Sequence, residues 1–180
     1  MRIISGEARG RKLEAQEGLS ARPTTDRGKE SIFNIIQFDV EGRVVLDLFA
    51  GSGQLGIEAL SRGAERAVFV DLSREACGII GKNLETTGFA GRAKIVQTGC
   101  ELFLEACREK FDLVFIDAPY LSGDHEKALE LIFKIDILNP NGIIICETGR
   151  VQGVPDGSGP YEKQREYLYG GTRITKYQRA

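Results

Sequence analysis

The stretch Val45-Leu46-Asp47-Leu48-Phe49-Ala50-Gly51-Ser52-Gly53-Gln54-Leu55-Gly56 constrains the fold of this 180-residue chain more than any other. A short, almost unbroken apolar run is a strand buried on both faces, and the G-x-G-x-x-G that follows is a turn opening a helix. Missing side chains there let a ligand approach backbone amides at the helix start. From Arg43 onward, further apolar runs at 67–71, 95–98, 113–117 and 143–147 follow the first one at 44–49, with helical patterns between them. Strands separated by helices make a mostly parallel sheet covered on both faces, so the spacing predicts a doubly wound α/β domain.

The punctuation supports that layout. Gly63 can cap a helix over about 56–62, and Leu138-Asn139-Pro140-Asn141-Gly142 reads as a loop entering the fifth strand. Residues 161–169 and 172–178 flank Gly170-Gly171, a two-residue turn that predicts an antiparallel hairpin completing the sheet. Ahead of the core, 2–4 and 12–14 are short strand candidates around Gly6–Gly10. A helix capped by Thr25 or Asp26 should then bury Ile32, Phe33, Ile35 and Ile36.

With 42% apolar residues the chain can bury one ordinary core, so 1–180 is expected to be a single domain. Within it, 1–20 form an N-terminal extension and 21–180 the cofactor-binding and catalytic core. No apolar run reaches the roughly 20 residues of a membrane span, and the first residues lack a signal peptide's apolar stretch. A cytoplasmic protein with no membrane partner is therefore expected. Cys77, Cys100, Cys107 and Cys146 form no C-x-x-C pair and read as reduced structural thiols. His125 is the only histidine, which leaves no His-based metal site or triad, and is assigned to a solvated loop; no metal is expected. Formal charge is +2 over 1–30, −7 over 31–160 and +3 over 161–180, so the basic charge sits at the ends. The cluster Arg9, Arg11 and Lys12 is a candidate RNA handle, because phosphate contacts drive non-specific nucleic-acid affinity; a solvated tail is the alternative.

Three acidic residues carry the chemistry. Asp71 lies 20 residues after Gly51 at the end of the second strand, where a carboxylate can accept both hydroxyls of a ribose. NAD and S-adenosylmethionine both present an adenosine to such a site. Asp47, four residues before the first glycine, can also meet an ammonium group, which methionine has and NAD lacks; its alternative role is to anchor loop amides. The fourth strand ends in Asp117-Ala118-Pro119-Tyr120. This resembles the D/N-P-P-Y/F motif of amino-methyltransferases. An exocyclic base amine is a poor nucleophile because its lone pair is delocalised into the ring. Acceptors for its hydrogens, here Asp117 and the carbonyl of Ala118, favour the tetrahedral nitrogen of the transition state. Tyr120 would stack on a base swung out of its surroundings.

On these residues, and on Arg2-Ile3-Ile4-Ser5-Gly6, Arg9-Gly10-Arg11-Lys12-Leu13, Arg22-Pro23-Thr24 and Glu58-Ala59-Leu60-Ser61-Arg62-Gly63-Ala64, the chain resembles the bacterial 16S rRNA (guanine(966)-N(2))-methyltransferases over nearly its whole length. The resemblance implies a seven-stranded, Rossmann-like class I methyltransferase with an N-terminal β-hairpin that contacts RNA. It implies S-adenosylmethionine as cofactor and 16S ribosomal RNA, free or in an assembling small subunit, as partner. The cofactor site would comprise Asp47, Phe49, Ala50, Gly51, Ser52, Gly53, Gly56, Asp71, Leu72, Gly99 and Cys100. Arg9, Arg11, Lys12, Arg22 and Thr24 would face RNA, and Asp117, Ala118, Pro119 and Tyr120 would carry catalysis. The chain departs from the family at Ala118, where proline is usual, and at Gly99, where an aspartate would bind the adenine amine. A backbone carbonyl or Glu101 would take over the latter role. Methylation of DNA adenine or protein glutamine, and a non-catalytic RNA-binding relative, are the alternative readings.

Overall fold

Five strands pair in parallel: β1 (Val44–Leu48), β2 (Arg66–Asp71), β3 (Ala93–Gln97), β4 (Phe111–Ile116) and β5 (Leu138–Gly149). Two more, β6 (Tyr161–Tyr169) and β7 (Thr172–Arg179), form a hairpin whose β7 pairs antiparallel with β5. This computed structural model describes residues 1–15, 26–119 and 122–180. The sheet order is β3-β2-β1-β4-β5-β7-β6. From β1 the chain winds outward to β3, then returns to place β4 on the other side of β1. The loops after β1 and β4 therefore leave in opposite directions, which opens a crevice at the carboxyl ends of these two strands.

The apolar strands are sandwiched as the alternation requires. Val45, Phe69, Leu113, Phe115, Ile143 and Ile145 face one way and share a core with Ile32 and Phe33 of α1 (Asp26–Ile35), Leu55, Ile57 and Leu60 of α2 (Gln54–Ser61) and Ile80 and Leu84 of α3 (Arg74–Thr87). Leu46, Leu48, Val68, Val114, Ile144 and Cys146 face the other way, against Leu104 of α4 (Cys100–Ala106) and Leu129, Ile132 and Phe133 of α5 (Asp124–Ile135). Tyr161 and Tyr177 extend this second core beneath the hairpin. The doubly wound core, the C-terminal hairpin and the buried side of α1 are as expected. Among the described residues no helix is long and apolar enough to cross a membrane.

Three expectations are refined or corrected. The N-terminal strands are shorter than expected: Arg2 bridges Lys12 antiparallel, with Ile3 N–H donating to the Arg11 carbonyl at 2.9 Å and Leu13 N–H to the Met1 carbonyl at 3.1 Å. The backbone amides that a longer hairpin would need are taken by side chains of the core: Ile4 and Ser5 N–H donate to Glu58 (2.8 and 3.0 Å), and Glu14 N–H donates to Asn83 Oδ1 (2.8 Å). The segment is thus a short antiparallel turn docked on α2 and α3. Gly6 permits the docking, since at φ +83° a Cβ would lie 1.8 Å from the Ser61 carbonyl oxygen. Second, His125 is not in a solvated loop but in the first turn of α5, 4% exposed. It begins the stripe His125, Ala128, Leu129, Ile132, Phe133, whose helical spacing puts all five on the buried side. Third, residues 138–142 belong to β5. Leu138 pairs with Phe111, and the ladder resumes at Ile143 opposite Leu113, so the intervening residues bulge, with Asn141 at φ 61°.

Candidate active site

The crevice at the switch point is built by side chains that reach from strand ends to loop backbone. Asp71, at the end of β2, accepts hydrogen bonds from Gly51 N–H at Oδ2 and from Ser73 N–H at Oδ1, both at 2.8 Å. It thereby ties the glycine loop to the start of α3, where Ser73 caps the helix by accepting from Ala76 N–H. Each carboxylate oxygen keeps a second acceptor position. Asp47, 1% exposed on β1, accepts Gly56 N–H at 2.9 Å and so pins the first turn of α2 over the strand that precedes it. Gly56 is required at that crossing, because a Cβ would meet the Phe69 ring at 2.4 Å and Asp47 Oδ2 at 3.1 Å. Asn83 of α3 donates to the Ser52 carbonyl at 2.9 Å, which closes the loop from the third side.

Phe49 leaves β1 with φ 59°, a left-handed conformation that strains a bulky L-residue, and the turn continues with Gly51 at φ 56° and Gly53 at φ 76°. The chain is bent back so that the Gly51 amide faces Asp71. No atom lies within 4 Å of where a Cβ on Gly51 or Gly99 would stand. Beside them Leu72 is 73% exposed, an apolar surface next to a carboxylate. Cys100 begins α4, and burial, then the nearby Glu101 and Asp124, push its thiol up to about 12. It is a packing group, not a thiolate.

Three carboxylates gather here on one face of the sheet. By strand alternation Asp47, Asp71 and the position of Asp117 lie on the face that carries Val45, Phe69 and Phe115. Burial raises the Asp47 carboxyl well above the usual carboxylate range. The Gly56 amide opposes the shift, and the charges of Asp117 and Asp71 reinforce it. A positive group placed among the three would relieve this mutual repulsion.

Asp117 is half-buried just past β4, Ala118 is buried, and Pro119 is exposed, its carbonyl accepting from Ser122 Oγ at 2.8 Å. The structure thus brings together Asp47, Phe49, Ala50, Gly51, Ser52, Gly53, Gly56, Asp71, Leu72, Gly99, Cys100, Asp117, Ala118 and Pro119 around one edge of the sheet. Arg22, Thr24 and Tyr120 lie outside the described residues. Arg9 and Arg11 stand elsewhere. Glu7 N–H donates to the Ser61 carbonyl at 2.7 Å, at the end of α2 opposite Gly53, and Arg11 donates to the Thr86 carbonyl at the end of α3. At 1.5 Å per residue, α2 separates that end from the glycine loop by about 12 Å. Lys12 is exposed on the return strand of the same loop.

Sequence reasoning assigned no role to Glu58, Asn83 or Glu147, all buried. The signal for the first two is a polar residue on the apolar stripe of a helix, as in Ile79-Ile80-x-x-Asn83-Leu84. For Glu147 it is a carboxylate ending a strand otherwise made of Ile143-Ile144-Ile145-Cys146.

A family model described as "Conserved hypothetical protein 95" matches residues 1–178. The chain is 35% identical to the Ribosomal RNA small subunit methyltransferase D of Escherichia coli K12, over 99% of this chain and 90% of that protein. It is 40% identical to YlbH of Bacillus subtilis, provisionally named an rRNA methyltransferase, over 99% of each. Among solved structures, yhhF of Escherichia coli superposes with a TM-score of 0.89 at 34% identity, covering 99% of this chain and 97% of that one.

Proposed function

The chain belongs to the family described as Conserved hypothetical protein 95, and on that premise we propose that it transfers a methyl group from S-adenosylmethionine to the exocyclic N2 amine of a guanine in 16S ribosomal RNA. The observation that carries this reading is the convergence of Asp47, Asp71 and Asp117 on one face of the sheet, around an open glycine loop at the switch point. Its relatives' names support the ribosomal RNA substrate. The donor set fits the cofactor: acceptors for ribose hydroxyls, room at the glycines, an apolar side chain for the adenine, and clustered negative charge for a ligand carrying a sulfonium and an ammonium group. When bound, S-adenosylmethionine supplies an electrophilic methyl group on positively charged sulfur.

The chain's own residues divide the remaining work. Asp71 holds the ribose hydroxyls with the acceptor positions its two backbone contacts leave over. Leu72 lies against the adenine, and the Gly99–Cys100 turn borders its edge. Asp47 receives the ammonium group, whose charge relieves the burial and the like charges of Asp117 and Asp71 that push its carboxyl up. Asp117 and the Ala118 carbonyl accept the two hydrogens of the target amine, which localises its lone pair toward the methyl group. As the nitrogen becomes tetrahedral and positive, the Asp117 charge stabilises it and can take the surplus proton. Pro119 and Tyr120 shape and stack the base. Arg9, Arg11 and Lys12 engage flanking phosphates, so RNA reaching both sites follows the α2–α3 side of the protein.

The test is mass mapping of modified nucleotides in ribosomal RNA from a strain lacking the gene. The expected result is the loss of one N2-methylguanosine from 16S RNA, restored by the gene on a plasmid. An unchanged modification pattern would overturn the reading.

A further inference from the structure

Alternation along the four central strands sets a row of carboxylates across the sheet. Asp71 lies two residues beyond Phe69 on β2, Asp117 two beyond Phe115 on β4, and Glu147 two beyond Ile145 on β5; Phe69, Phe115 and Ile145 belong to the same core face. Phe115 pairs with Ile145, so Glu147 lies level with the position of Asp117, one strand over, at about 4.8 Å between strand axes. Burial, and after it the charges of Asp117 and Glu147, push up the thiol of Cys146, the residue before Glu147 on the opposite face of β5. On the other side of Glu147 stands Ile174 of β7, 1% exposed. A carboxylate that is 6% exposed, with an apolar neighbour on one flank and the catalytic loop on the other, can aim at only a narrow range of partners. It has about four acceptor positions, so it can take a hydrogen bond from a ligand in addition to those from the protein.

Resting on the reading that the target is a guanine N2 amine, we propose that Glu147 is a specificity-determining residue: it accepts the imino N1–H that sits beside that amine on the Watson–Crick edge of guanine. Among the common bases only guanine presents an amino donor with an imino donor next to it. In adenine and cytosine the ring nitrogen adjacent to the amine is an acceptor, which a carboxylate repels. Asp117 and the Ala118 carbonyl would hold the amine's two hydrogens, and the neighbouring strand supplies the acceptor for the next donor along the edge. Asp117 acts on the rate whichever ring bears the amine, whereas Glu147 reports which ring it is. A site built around a donor rejects analogues lacking it, because its acceptor is then left without that bond in a dry pocket.

The test uses small ribosomal subunits from a strain lacking the gene, with the mapped target nucleotide kept as guanine or replaced by 2,6-diaminopurine, which retains the N2 amine but has no N1–H. The parent enzyme should prefer guanine in kcat/KM by about 10- to 100-fold, the scale of one well-made base contact. Glu147→Gln, whose amide can donate as well as accept, should bring that ratio to within about threefold of unity, mainly through loss on guanine. Glu147→Asp should keep a ratio nearer the parent's. Affinity for S-adenosylhomocysteine, measured by calorimetry on each variant, should stay within about threefold, since β5 lies two strands from β1. A parental ratio near one overturns the proposal without any variant. A Glu147→Gln ratio equal to the parent's, with both substrates slowed alike, shows a purely structural role and overturns it as well. If mapping places the parent's methyl group elsewhere than on a guanine N2, the underlying reading fails instead, and the two failures are distinguished before any variant is made.

Discussion

Glu58 sits at the centre of a buried ionic hub, and its replacement by glutamine should cost a large part of the domain's stability. Its carboxylate, fully buried, meets Lys29 Nζ at 3.4 Å, also fully buried, and Arg62 Nε at 2.9 Å, and it accepts the amides of Ile4 and Ser5. Glutamine keeps the shape but removes the charge, which leaves the buried Lys29 ammonium with only the Arg2 carbonyl and the charge of Asp26 to offset its burial. Removing one partner of a buried pair costs about 3–5 kcal/mol. A ceiling follows from lysine itself: burial already lowers its pKa from the ordinary 10.5. Releasing the proton altogether at pH 7 costs about 5 kcal/mol, from 1.36 kcal/mol per unit. For a domain of this size each kcal/mol moves Tm by about 2–4 °C, so Tm should fall by roughly 6–20 °C. The sign with pH is also fixed. In the variant the unfolded chain holds the Lys29 proton up to its ordinary pKa while the folded chain does not, so stability should rise as pH increases from 7 toward 10. Lys29→Met combined with Glu58→Gln should regain at least half of the loss. With no tryptophan in the chain, urea unfolding followed by far-ultraviolet circular dichroism is the assay. A Glu58→Gln midpoint equivalent to less than 1 kcal/mol from the parent's, on the scale of a surface ion pair, would refute the hub.

Other substitutions address the site itself. Gly56→Ala drives a methyl group into the Phe69 ring and toward Asp47. Overpacking of that kind costs about 1–3 kcal/mol, and calorimetry should show cofactor affinity falling together with Tm; a Tm within 1 °C of the parent's would mean that the crossing is looser than described. Asp71→Ala removes the ribose acceptors and unpins the Gly51 amide, so affinity for S-adenosylhomocysteine should drop by about 1–3 kcal/mol; an unchanged dissociation constant would reject the assignment. Replacing Arg9, Arg11 and Lys12 with alanine should raise the dissociation constant for 16S RNA and flatten its salt dependence. Equal salt slopes for variant and parent would show that the loop touches no phosphate, a pointed question given that it docks at the far end of α2.

The parts of this molecule that could be read from sequence are those in which one residue type admits one backbone solution. Strand, glycine loop and helix follow from Val45 to Gly56 because apolar continuity fixes the strand and the glycines fix the turn. The place of Asp71 at the end of β2, a fixed distance after such a loop, is legible too, and its bond to the Gly51 amide ties it to that loop. Gly170-Gly171 specifies the hairpin for the same reason. What was illegible depended on partners distant in sequence. Nothing near Ile4 announces that its amide will go to Glu58 rather than across a hairpin, 54 residues away. His125 reads in isolation as a lone polar residue, although its spacing to Ala128, Leu129 and Ile132 carries a helical stripe. The start of β5 was hidden because Pro140 and Gly142 punctuate like a loop, while the bulge they form keeps Leu138 in the ladder. Glu147 fell inside an expected strand, but its place beside Asp117 comes from the β4–β5 register, which local sequence does not encode.

The central claim is that the loop after β4 performs the transfer while the ends of β1 and β2 hold the cofactor, and Asp117→Ala separates the two. The measurement is single-turnover methylation of small-subunit ribosomal RNA from a strain lacking the gene, at saturating S-adenosylmethionine, with a calorimetric titration of S-adenosylhomocysteine on the same preparation. The chemical rate should fall by roughly 10²-fold, the scale for a lost transition-state partner, with cofactor affinity within about threefold of the parent's. A variant that turns over at the parental rate would contradict it.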